Sequence, residues 1–224
     1  MFNYMQRLGK SLLLPIATLP ICAILLGIGY IMAPASMGAG GTMSGPVYTV
    51  GLFLTTAGGA LINNMGILFA IGVGVGMAKK NDGTAGVAAL VSWLVFTTIL
   101  NVDSASKLVT LTDVDTLAFK SIANPFIGIL SGLIGATCFN GFGWIKLPDF
   151  LAFFSGKRFV AIASTVITII LAFVMLFLWP IIFEGLVAFG GFITDMKGIG
   201  VGIFQTANRM LIPVGLHHAL NNVF

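Results

Sequence analysis

The chain has little of what builds a water-facing surface. Of its 224 residues only 8% are charged, histidine and cysteine occur twice each, and Glu184 is the single glutamate. Soluble domains carry roughly 25% charged residues. The shortage excludes a disordered segment, a coiled coil and an ordinary cytosolic enzyme. Eleven basic residues against seven acidic ones give a net charge of +4, but they are scattered and form no basic stripe, so no nucleic-acid partner is expected. Cys22 and Cys138 both sit in apolar runs. Each reads as a small buried hydrophobe, with a disulfide or a reactive thiol as the lesser alternatives. The sequence holds no Walker motif, CxxC pair, HExxH, GxSxG or metal-ligand cluster, and neither cofactor nor metal is expected.

What is present is apolar. Hydrophobic residues make up 58% of the chain and glycine contributes 29 positions, with a mean hydropathy of +1.06. Such a surface faces lipid, and frequent glycine suits helices packed closely within it. The expected fold is an all-α integral membrane protein, a polytopic helical bundle of about five to six transmembrane helices with broken or re-entrant segments. The crossings are expected at Ser11–Ala33, near 60–78, at Gly83–Asn101, Pro125–Ile145 and Phe159–Phe183, with an incomplete sixth over 198–224. The basic, apolar N-terminus lacks a convincing cleavage site and reads as a retained first helix. The stretch 47–78 would reach roughly 48 Å as one helix, beyond a hydrocarbon core near 30 Å. A kink, or an interfacial piece before the span, is expected within it.

Charges alternate between loops. Arg7 and Lys10 precede the first crossing, Lys79 and Lys80 follow the second, and Lys146, Lys157 and Arg158 follow the fourth. The loop 34–46 has no charge, 102–124 holds three Asp against two Lys, and the loop after the fifth crossing offers Glu184, Asp195 and Lys197. The positive-inside rule then predicts a cytoplasmic N-terminus, with Lys79, Lys80 and Lys157 inside and Asp113 outside. Within Lys146–Arg158, Phe150, Phe153 and Phe154 fall at i, i+3 and i+4, one helix face after a start signal at Asp149. That loop reads first as an interfacial helix anchoring a cytoplasmic loop, a reading compatible with a loop that docks a cytoplasmic partner or gates access. The Gly-x-Gly runs at 72–76 and 198–202 lack strand–turn–helix context and read as helix packing.

Polar groups concentrate in one apolar segment near the C-terminus: Asn208, Arg209, His217, His218, Asn221 and Asn222. An arginine at mid-bilayer costs roughly 2.5–3.5 kcal/mol on insertion scales, so at that depth Arg209 faces a cavity or a partner. Pro213 and Gly215 predict a break between Arg209 and His217, and broken helices offer backbone groups to polar solutes. A sugar suits such donors and acceptors. The plainer reading has Arg209 snorkelling to an interface and the histidines satisfying helix neighbours. A neutral histidine can hold a hydroxyl or take its proton.

These segments resemble the membrane (IIC) component of the bacterial sugar phosphotransferase system, in the glucose/N-acetylglucosamine/maltose branch. The similarity is carried by Gln-Arg-Leu-Gly-Lys-Ser-Leu-Leu-Leu-Pro-Ile-Ala-Thr-Leu-Pro at 6–20, Ile-Leu-Phe-Ala-Ile-Gly-Val at 67–73, Ile-Lys-Leu-Pro-Asp-Phe-Leu-Ala-Phe-Phe-Ser-Gly-Lys-Arg-Phe-Val at 145–160, and Asn-Arg-Met-Leu-Ile-Pro-Val-Gly-Leu-His-His-Ala-Leu-Asn at 208–221. The resemblance implies an inner-membrane permease that imports a sugar while a IIB domain phosphorylates it from a phosphocysteine. It implies a homodimer built partly from the early helices. It places Arg209, His217, His218 and Asn208 at the sugar, with His217 as the catalytic candidate. The family's Gly-Ile-Thr-Glu motif has no counterpart, since Glu184 stands in Pro-Ile-Ile-Phe-Glu. The chain accordingly reads as an N-terminal fragment, a partial IIC domain over 1–224 without IIB or IIA, inactive alone. Asn208 before the arginine favours N-acetylglucosamine, whereas Asn63-Asn64-Met65 leans toward glucose. Channel-like flux without phosphorylation, and a pure dimerisation module, are the competing readings.

Overall fold

The computed structural model describes residues 2–38 and 44–195, and beyond these only 202, 204–206, 209 and 210. The first apolar stretch is divided. α1 (Phe2–Ile16) and α2 (Leu19–Met32) are separated by a turn at Ala17 and Thr18. Pro20 has no N–H to offer the Ile16 carbonyl, and the Thr18 hydroxyl donates back to the Pro15 carbonyl at 2.7 Å. The stretch 47–78 is divided as well, into α3 (Pro46–Asn63) and α4 (Met65–Met77). The Asn64 amide donates to the Ala60 carbonyl at 2.7 Å, the local side-chain competition that makes asparagine a poor helix interior. The kink expected within 47–78 is present, and the helix lying in the expected span near 60–78 starts at Met65. At 13 residues it is about 20 Å long, too short to cross alone.

After α5 (Gly83–Ile99) the expected loop 102–124 instead holds α6 (Val102–Leu108), bent 62° from α5, and α7 (Asp113–Lys120). The Asn101 side chain accepts from the Ser104 N–H, and Thr112 with Asp115 forms a reciprocal capping box. Asp103, Asp113 and Asp115 lie in first turns and Lys107 and Lys120 in last turns, the arrangement that complements helix dipoles. Charges that read as loop charges thus also terminate helices. α8 spans Pro125–Phe142 and α9 spans Lys157–Asp195. The span expected over 159–183 is a 39-residue helix, and Glu184 and Asp195 belong to it rather than to a following loop. Pro180 inside it forgoes one bond, to the Leu176 carbonyl, which membrane helices tolerate. The aromatic segment before α9 is a 3₁₀ turn, Asp149–Phe154, capped by Pro148 and not an α-helix started by Asp149. The sixth span falls largely outside the described residues; those given at 202, 204–206, 209 and 210 are helical.

The chain divides into two compact units, Leu12–Met65, and Met1–Ser11 with Gly66–Phe224. In the smaller, α2 packs on α3 through small residues. A Cβ at Gly29 would meet the Thr55 nitrogen at 2.7 Å, and one at Gly51 the Ala33 nitrogen at 2.8 Å. In the larger, Gly128, Gly132 and Gly135 line one face of α8. Their Cβ positions would fall 2.2 Å from the Gly66 oxygen, 2.8 Å from the Ala70 oxygen and 2.5 Å from the Ala89 nitrogen. Lipid is as apolar as leucine, so water exclusion does not drive such contacts; backbone approach and dispersion do. Gly74 and Gly76 of the 72–76 run are equally close to Ala89 and Ser11, the packing role expected for that run. Around this seam Trp179, Phe96, Phe119, Phe139 and Leu100 are fully buried. Buried Ser92, Ser131 and Thr168 donate to the carbonyls of Ala88, Ile127 and Ser164 on their own helices.

Among the described residues, three helical stretches are long and apolar enough to cross a membrane: Gln6–Met32, Pro125–Phe142 and Lys157–Phe189. There are five if α3 with α4 and α5 with α6 each count as one.

Candidate functional site

Basic residues from α1, from the α4–α5 connection and from the start of α9 meet at one end of the larger unit. Arg7 donates from Nε to the Gly76 carbonyl at 3.3 Å and from Nη2 to the Ala78 carbonyl. Asn140 of α8 donates to the Met77 carbonyl at 3.2 Å and accepts from the Lys79 N–H at 2.8 Å. At Gly76 and Met77 they occupy carbonyls that the end of α4 leaves without an intrahelical partner, while the Ala78 carbonyl also accepts from the Asn81 N–H. Asp82 caps α5 by accepting from the Thr84 N–H at 2.9 Å and pairs with Lys157, the first residue of α9. The Lys157 ammonium, helped by the Thr84 N–H, holds the Asp82 carboxyl well below the usual carboxylate range. Lys80 lies 4.2 Å from the centre of the Trp144 ring. Arg7, Lys79, Lys80 and Lys157 are thereby gathered on one side.

The acidic segment packs farther along α9, at Trp179. Trp179 Nε1 donates to the Ala118 carbonyl of α7 at 2.8 Å, and its ring stacks on Phe126 at 5.9 Å. From Lys157 to Trp179 a helix rises about 33 Å, close to a hydrocarbon core. Helix length and these two contacts therefore separate α6 and α7 from the basic cluster by about a bilayer. Asp82, Asn140 and Trp179 are site-building residues that the sequence pattern does not single out. For Asp82 the signal was there, an Asp-Gly-Thr start before an apolar run. For Asn140 and Trp179 there was none, because their partners lie 63 and 61 residues away.

Of the expected sugar-site residues, Arg209 is helical and exposed, whereas Asn208, His217 and His218 lie outside the described residues. Glu184 is exposed on α9. Two crevices flank α9. One of 220 Å³ is lined by Leu133, Ile134, Thr137, Cys138, Ile167 and Leu171. The other, of 310 Å³, is lined by Leu94, Val95, Thr98, Ile99 and Ile169. Both linings are almost wholly apolar, and neither has the ring of donors and acceptors that a polyol needs. Cys22 and Cys138 are free and buried, as small hydrophobes should be; the Cys22 thiol donates to the Thr18 carbonyl at 3.1 Å.

A family model described as "Phosphotransferase system, EIIC" matches residues 9–224. The N-acetylglucosamine-specific EIICB component of Bacillus subtilis is 38% identical over 224 residues, covering all of this chain and 43% of that protein. The glucose-specific EIICBA component of Staphylococcus saprophyticus is 37% identical over 237 residues, covering all of this chain and 34% of that protein. The chain thus spans less than half the length of these relatives. A helical, lipid-facing chain with an ordered seam of small residues, matched from residue 9 onward by one family, belongs to the EIIC family of the phosphotransferase system.

Proposed function

We propose that the chain is part of the membrane unit of a sugar phosphotransferase, carrying a sugar across the inner membrane while a partner IIB domain phosphorylates it. The observation that carries this reading is the family match running through the polar segment 208–221. The names of the two relatives, EIICB and EIICBA components, support a IIB partner. Their near-equal identities leave the sugar to the residues themselves: Asn208 before Arg209 favours N-acetylglucosamine, with glucose as the alternative. A homodimer built partly from the early helices, and a cytoplasmic N-terminus, belong to the same reading.

In this scheme the planar guanidinium of Arg209 offers paired donors to sugar hydroxyls, and Asn208 and His218 are further sugar-binding candidates. His217 takes the proton of the attacking hydroxyl as its oxygen bonds to phosphorus and the sulfur–phosphorus bond of the donor breaks. The test uses the full-length permease with its phosphotransfer partners and labelled N-acetylglucosamine and glucose. His217→Gln should lower phosphorylation by about 10²-fold or more, the usual scale for a general base. Arg209→Lys should weaken sugar binding while the protein still inserts. Wild-type phosphorylation in an inserted His217→Gln protein would end the catalytic role, and unchanged affinity in Arg209→Lys would leave that charge structural.

A further inference from the structure

Residues 143–156 join α8 to α9 as a closed loop. The Gly156 N–H donates to the Ile145 carbonyl at 2.9 Å and the Leu147 N–H to the Ser155 hydroxyl at 3.0 Å. Gly156 has a φ of +67°, which glycine reaches without strain. Above this closure stands the 3₁₀ turn Asp149–Phe154, in which residues three apart eclipse. Phe150 and Phe153 therefore share one edge, 83% and 69% exposed, with Phe154 at 41%. Arg158 braces the turn, donating to the Phe153 carbonyl at 3.0 Å with its guanidinium 4.6 Å from the Phe153 ring centre. Lys146 enters the loop, and Lys80 sits over Trp144 at its base. The one acidic residue of 143–158 is Asp149, and Asp82 nearby is already taken by Lys157.

We propose that this loop is a membrane-surface anchor, with Phe150 and Phe153 in the acyl boundary and Lys146, Arg158 and Lys80 against the phosphates of anionic lipids. The loop's reach supports the bilayer as occupant. The 18 residues of α8 give about 27 Å, so Gly143 emerges at headgroup level. Because the loop is closed at 145–147 and 155–156, its tip stays within about 10–15 Å of that level. Exposed rings beside cations at that depth match the composition of surface-lying segments. The anchor fixes the depth at which α9 begins, and with it the Asp82–Lys157 pair.

The test places a nitroxide on Phe150→Cys in the whole chain reconstituted into vesicles; Cys22 and Cys138 are buried and stay unlabelled. Collision with a water-soluble nickel chelate is compared between phosphatidylglycerol-containing and pure phosphatidylcholine vesicles. The chelate should reach position 150 several-fold less in the anionic vesicles, and the difference should shrink at 1 M salt, where the Debye length is about 3 Å. Lys146→Gln should restore access by about fivefold, the worth of one basic residue near an anionic surface. Arg158→Lys, which keeps the charge, should leave the lipid dependence in place. Free aqueous access in both vesicle types would overturn the proposal. So would protection that arises only when a soluble phosphotransferase domain is added, which would assign the loop to protein docking.

Discussion

At the scale of single residues, the helix seam is set by what has no side chain. A methyl at Gly128 would fall 2.2 Å from the Gly66 carbonyl oxygen, and backbone cannot rotate away as a side chain can. Gly128→Ala should lower stability by about 1–3 kcal/mol, the cost of overpacking. Gly185→Ala on α9, where nothing lies within 4 Å, should be neutral or slightly stabilising. Thermal unfolding in detergent separates the two, and equal losses would show that glycine flexibility and not proximity matters. The abundance of glycine was plain in the sequence. Which glycines touch backbone was not, because proximity depends on α4, α5 and α8 meeting at a register that no local pattern encodes.

At the scale of elements, α6 and α7 are too short to persist alone, isolated helices below about 12 residues being marginal in water. Caps and one long-range bond hold them. Thr112→Ala removes the capping box and should cost about 0.5–2 kcal/mol, read as faster hydrogen exchange across Asp113–Lys120. Trp179→Phe keeps the stacked ring but leaves the Ala118 carbonyl without its donor, at a cost of about 1–3 kcal/mol. Unchanged exchange in α7 in both variants would mean the helix is held by burial of Ala118 and Phe119 instead. The capping residues are readable in the sequence, yet the segment reads as a loop, because eight-residue helices give too little periodicity. The break at Asn64 was foreseen as a region and located only by its hydrogen bond.

At the scale of the whole molecule, the basic loops share an end, and the Asp82–Lys157 pair ties two of them. The pair lowers the Asp82 carboxyl, so its contribution is complete above the ordinary carboxylate range near 3.8. It is lost as pH falls through that range toward the lowered folded value. The difference in melting temperature between the wild type and Asp82→Asn should be constant near neutrality and vanish only at strongly acidic pH. A difference already changing between pH 5 and 7 would implicate another group. For orientation, cysteines placed at Lys79, Lys80 and Lys157 should label from the cytoplasmic face and one at Asp113 from the outside. Outside labelling at position 157 would invert the topology.

Composition alone determined that this chain lives in lipid, because 8% charged residues cannot clothe a water-facing surface. Loop charge determined which segments share an end, since the positive-inside rule acts on local sequence. The motif at 208–221 singled out Arg209 and His217 through the cost of polar groups in an apolar run, a local property as well. Tertiary structure decided the rest: that Arg7 and Asn140 close the end of α4, that Lys157 answers Asp82, and that Trp179 holds α7. The physical reason is sequence separation. Each of these bonds joins groups more than 60 residues apart, and their meeting depends on helix length and packing register summed over several elements.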